Sequence, residues 1–171
     1  MFTKHQAFLY LRYSIVAAIL YLISVIVFLS ADAYSQTYIL YIGNTLFAVA
    51  IVFFVVNFAK KRHENANTRM AIKASVITTL AGVILSVVGM FIILAIMKPS
   101  GYSDVMNTAN ELAKPAPALE GNGHALMLIL VVDAIFGNLG TGIFISMMLP
   151  NMLKSDQTGE TAVINPVKSQ R

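Results

Sequence analysis

The residues best equipped for chemistry lie where chemistry is least expected. The stretch VVDAIFGNLGTG, residues 131 to 142, belongs to a long apolar run yet carries Asp133 and Asn138. A carboxylate placed mid-membrane costs about 2.5–3.5 kcal/mol on insertion scales, so it must face other helices and find a partner there. Two chemistries fit such an acid. It can be a protonatable or ion-binding stop in a transport path, since an intramembrane ionisable residue is a functional candidate. It can also be a neutral carboxylic acid that ties helices together by hydrogen bonds and so avoids burying a charge. No second acid and no Lys, Arg or His lies mid-run anywhere else. A proton relay wants more than one stop, so the balance favours the structural tie. For Asn138 the same balance favours an interhelical glue residue, worth roughly 1 kcal/mol.

Other site chemistries fail on composition or position. The chain has no cysteine, which excludes disulfides, thiolate metal sites and quinone-linked thiol oxidoreductases. Its three histidines are His5, His63 and His124, none in the middle of an apolar run. A haem held between two histidines inside a bundle is therefore excluded, despite nine Met. His124, Glu120 and Asp104 share one loop region, but their spacing matches no standard metal pattern. Gly137-Asn138-Leu139-Gly140-Thr141-Gly142 imitates a glycine-rich phosphate loop, yet no strand precedes it. No Ser/His/Asp set converges at one depth. No cofactor, no metal and no catalytic residues are expected.

The elements that must position Asp133 follow from hydropathy. Of 171 residues, 57% are hydrophobic and 12% charged, against roughly 25% charged in average globular domains. A bilayer core of ~30 Å needs about 20 apolar helical residues. Four segments meet this, at about 9–30, 37–59, 71–97 and 125–149. Backbone polar groups in lipid must be paired internally, so the segments are expected to be helices. The N-terminal run followed by Ala31-Asp32-Ala33 imitates a cleaved signal peptide. Its apolar part is longer than the 7–15 residues usual for one, so it is expected to be retained as a span.

Charge sets the direction. Lys4, Arg12, Lys60, Lys61, Arg62, Arg69, Lys73, Lys154, Lys168 and Arg171 fall on one side, and only Lys98 and Lys114 on the other. Basic residues near span ends stay cytoplasmic. The expected fold is an all-α integral membrane four-helix bundle, antiparallel and up-down-up-down, with both termini cytoplasmic. The net charge of +4 is explained by this topology and calls for no nucleic acid. Compactness and the lack of eukaryotic targeting signals point to a bacterial cytoplasmic membrane. Tyr10, Tyr13, Tyr34, Tyr38 and Tyr102 lie near the expected interfaces as an aromatic belt.

Counting depth at 1.5 Å per residue brings Tyr21 of the first span, Asn44 of the second, Ser86 and Gly89 of the third and Asp133 of the fourth to one level. Asp133 is expected to point at Asn44, Tyr21 or Ser86. Small residues let membrane helices approach closely. Ser75, Thr79, Gly82, Ser86 and Gly89 repeat at helical spacing on the third span. Asp133, Gly137, Gly140 and Phe144 do so on the fourth. The third and fourth helices are expected to pack along these two stripes.

The connections are modest, apart from a loop at 98–124 with a helix-compatible core and a Pro/Gly-rich end. The tail 154–171 shows no hydrophobic face and reads as mobile. Three functions follow in order of preference. The first is a non-enzymatic accessory or scaffold subunit of a membrane complex, with a membrane-protein partner. The second is a small proton- or ion-coupled transporter or channel, using Asp133 and working as an oligomer. The third is an enzyme with its site in the 98–124 loop.

Overall fold

The computed structural model describes residues 4–30, 37–60, 68–97 and 123–164. These form α1 (Lys4–Ser30), α2 (Tyr38–Lys60), α3 (Thr68–Met97), α4 (Gly123–Val132), a π-helical turn at Asp133–Gly137, and α5 (Asn138–Ile164). The last three make one continuous rod. The described residues contain four helices long and apolar enough to cross a membrane, Phe8–Ser30, Tyr38–Ala59, Thr68–Met97 and Met127–Leu153. Each helix runs past the expected apolar window into polar sequence, because backbone pairing continues where hydropathy stops. The fourth rod reaches Ile164, beyond the 149 boundary, with Pro150 inside it. The connections at 31–36 and 61–67, the loop at 98–122 and residues 165–171 lie outside the described residues.

Packing is four-sided. Helix α1 lies against α2 and α3, and α5 lies against both of the same helices on the other side. The core combines aromatic and branched residues from every rod, with Tyr21, Phe28, Phe47, Phe54, Ile51, Met90, Leu94 and Leu130 fully buried. The outer surface is apolar as well. Ile96, Phe136, Ile84, Phe144 and Met152 are all more than 60% exposed, a coat far larger than soluble monomers show.

One cluster differs from the expected aromatic belt. Tyr10 is buried and Tyr13 half-buried, both turned toward α2. Their rings meet Phe54 edge-on at centroid distances of 5.7 and 5.3 Å, and Asn57 Nδ2 donates to the Tyr13 hydroxyl at 2.7 Å. Aromatic pairs at this geometry add about 0.5–1.5 kcal/mol beyond area burial, and α2 supplies the rings one turn apart. Tyr38 does face outward. Tyr34 and Tyr102 lie outside the described residues.

Candidate functional site: the Asp133 layer

Asp133 opens the π turn. Its Oδ1 accepts a hydrogen bond from Asn44 Nδ2 at 2.7 Å, and its Oδ2 accepts one from the Tyr21 hydroxyl at 3.0 Å. One carboxyl group thereby joins the fourth rod to α2 and α1. Tyr21 is fully buried and Asn44 nearly so. Their approach depends on small neighbours. A Cβ on Gly137 would collide with the Asn44 amide. A Cβ on Gly43 would lie 2.8 Å from Ser24 Cβ and 3.2 Å from Tyr21 Cδ2. Gly43 thus lets α1 close on α2 at the level of the tyrosine.

Ser86 and Asn138 are fully buried but take no part in these bonds. Ser86 Oγ, both polar atoms of the Asn138 amide and Asn44 Oδ1 have no hydrogen-bond partner. A buried polar group left unmatched costs about 1–3 kcal/mol, and most native proteins hold few of them. Four such atoms lie on helices that surround the one carboxylate.

The π turn also revises the expected packing stripe of the fourth rod. An α-helix advances 3.6 residues per turn, so residues spaced by four drift round it by about 40° a step. Here Leu130, Ala134, Asn138, Gly142, Ser146 and Pro150, spaced by four, are all buried. The wider π turn absorbs part of that drift. Gly140 and Phe144, counted on unbroken α-helical spacing, are carried off the interior. Gly140 has nothing within 4 Å of its Cβ position, and Phe144 is 63% exposed. Gly142, which the stripe omits, does the packing instead: a Cβ there would collide with Thr79 and lie 3.3 Å from Phe47 Cε1.

The α3 stripe is divided among neighbours rather than facing the fourth rod alone. Ser75 and Thr79 face that rod, with Thr79 Oγ1 3.3 Å from Ser146 Oγ. Ser75 Oγ donates to the Ala71 carbonyl at 2.9 Å and lies 3.4 Å from the Ser146 carbonyl oxygen. Pro150, four residues on, has no N–H for that carbonyl, so the serine hydroxyl stands where the helical bond is missing. A Cβ on Gly82 would lie 3.0 Å from the Phe47 ring, and one on Gly89 would strike Leu22 of α1. An inward stripe faces the bundle axis, so successive residues meet different helices.

Phe47 sits one turn below Asn44 and separates two polar groups. Tyr21, Asn44, Ser86, Asp133 and Asn138 lie on one side. Ser14, Ser75, Thr78, Thr79 and Ser146, all fully buried, lie on the other. In the second group hydroxyls bond mostly to backbone carbonyls, including Ser14 Oγ to the Thr78 carbonyl at 2.8 Å. Among the described residues no group of three or more His, Cys, Asp or Glu side chains comes together. Sequence reading missed Gly43, Phe47 and Gly142. Gly43 precedes Asn44, which is a legible signal, whereas the role of Gly142 depends on the π turn. No family model, curated protein or solved structure matches the chain.

Proposed function

We propose that the chain is a multi-pass protein of a bacterial cytoplasmic membrane, an up-down-up-down bundle with cytoplasmic termini, acting as an accessory or scaffold subunit of a membrane complex. The apolar coat and the four long helices support insertion. The basic residues clustered at one set of span ends support the orientation. Alternating direction is supported by the pairings: Tyr10 with Phe54 and Phe58, Ser14 with Thr78, and Ser75 with Ser146. The observation that carries the scaffold reading is the engagement of Asp133. Both of its oxygens are used in joining three helices, which is what a rigid platform requires.

Isolation from native membranes in mild detergent, with mass determination, tests this. A second membrane protein at fixed stoichiometry is the expected result. Recovery of this chain alone, as monomer or homo-oligomer, would remove the scaffold reading.

One observation favours a second reading, a proton- or ion-coupled transporter or channel working as an oligomer. The acid begins a π turn, a feature frequent at functional sites, and is flanked by unmatched buried polar atoms. Reconstituted vesicles decide it: Asp133→Asn should abolish pH- or ion-driven flux, and absence of flux in the unsubstituted protein removes this reading.

A further inference from the structure

Asp133 accepts hydrogen bonds on both oxygens. In its ionised form the group needs a counter-charge in this setting. Described basic side chains do not supply it. Arg12 is exposed, stacks over the Phe8 ring at 4.6 Å, and sits nine residues from Tyr21, about 13 Å along the helix. Arg69 and Lys73 lie at the start of α3, and Lys73 is thirteen residues from Ser86, about 20 Å.

The unmatched atoms are of the complementary kind. Three of the four are oxygens: Asn44 Oδ1, Ser86 Oγ and Asn138 Oδ1. Their placement follows from the contacts. Asn44 packs on Gly137, next to Asn138 in the chain. Ser75 meets Ser146, and Thr79 meets both Ser146 and Gly142. α3 and α5 therefore run in opposite directions here, and continuing that register brings Ser86 to the level of the π turn, within one turn of Asn138. The π turn itself contacts both α2 and α3. One negative oxygen pair with neutral amide and hydroxyl oxygens is the donor set of a hard cation, and a single carboxylate balances a single positive charge. Phe47, one turn from Asn44, packs against Gly82 and Gly142, and Val25, Leu40, Met90 and Leu130 are buried in the same core.

We propose that Asp133, Asn44, Ser86 and Asn138 together bind a dehydrated monovalent cation of the sodium class. Binding does not require transport, so the site stands for a scaffold and for a transporter alike.

The test is thermal unfolding of the purified full-length protein at constant ionic strength in sodium, potassium or choline chloride. Ligand binding to the folded state raises the midpoint with concentration. At tenfold the half-saturating sodium concentration the rise should be roughly 3–6 °C. It should disappear in Ser86→Ala and in Asp133→Asn, with helical circular dichroism checking that each variant is folded. Gly140→Ala, in open space, should keep it. If Asp133→Asn does not fold, Ser86→Ala and Asn138→Ala carry the test. Equal midpoints in all three salts overturn the proposal. So does a sodium effect that survives Ser86→Ala and Asn138→Ala. A sodium shift without flux in vesicles keeps the site and removes only the transport reading.

Discussion

Asn44 fills the space that a side chain at position 137 would need. Its amide lies over Gly137 and from there donates to Asp133 Oδ1 at 2.7 Å. The missing Cβ and the hydrogen bond are therefore one arrangement. Gly137→Ala should push the amide off the Asp133 carboxyl group and lower stability by about 1–3 kcal/mol, the cost of leaving a buried polar group unmatched. Thermal unfolding of Gly137→Ala, Asn44→Ala and the double variant checks the linkage. The second substitution should add little to the first, and full additivity would show that the two residues act separately.

Tyr21→Phe keeps the buried ring and removes only the hydroxyl that donates to Asp133 Oδ2. The expected loss is about 1.5–3 kcal/mol, measured by chemical or thermal unfolding in detergent. Asp133→Leu should cost more than Tyr21→Phe, because it strands the tyrosine hydroxyl and the Asn44 amide together. An Asp133→Leu protein as stable as the unsubstituted one would show that the tie contributes nothing.

The two glycines of the fourth rod should respond oppositely. Gly140 has open space where a side chain would go, whereas Gly142 faces Thr79 and Phe47. Gly140→Leu should leave the unfolding midpoint nearly unchanged, and Gly142→Leu should lower it by several degrees through overpacking, about 1–3 kcal/mol. Equal effects would show that position 142 does not face Thr79 and Phe47.

Pro150 and Ser75 should be coupled. The proline withholds the N–H that the Ser146 carbonyl would otherwise accept, and the Ser75 hydroxyl lies 3.4 Å from that oxygen. Ser75→Ala should destabilise the unsubstituted protein by about 0.5–1.5 kcal/mol and cost less in a Pro150→Ala background. A double-mutant cycle measures the difference.

The four helices were legible because apolar runs of span length are a coarse, redundant signal, insensitive to any one residue. The level shared by Tyr21, Asn44 and Asp133 was legible too. Helical rise is nearly constant, so counting from span ends places groups in depth. Direction around the rod was not legible. Rotation accumulates residue by residue, and one π turn shifts everything after it, which is why Gly140 and Phe144 were assigned to the wrong face. Nothing in DAIFG announces that turn. Tyr10 and Tyr13 show a different limit: a tyrosine near a span end suits both an interface and an aromatic core, and only the neighbours Phe54, Phe58 and Asn57 separate the two.

Phe47 has a consequence of another kind. Clasped between Gly82 and Gly142, its ring is a floor laid across the middle of the molecule, with the amides and the acid upstairs and a hydroxyl ladder downstairs. Among the described residues no hydrogen bond joins the two storeys. Whatever the upper room holds has no stairway along the bundle axis while that floor is in place.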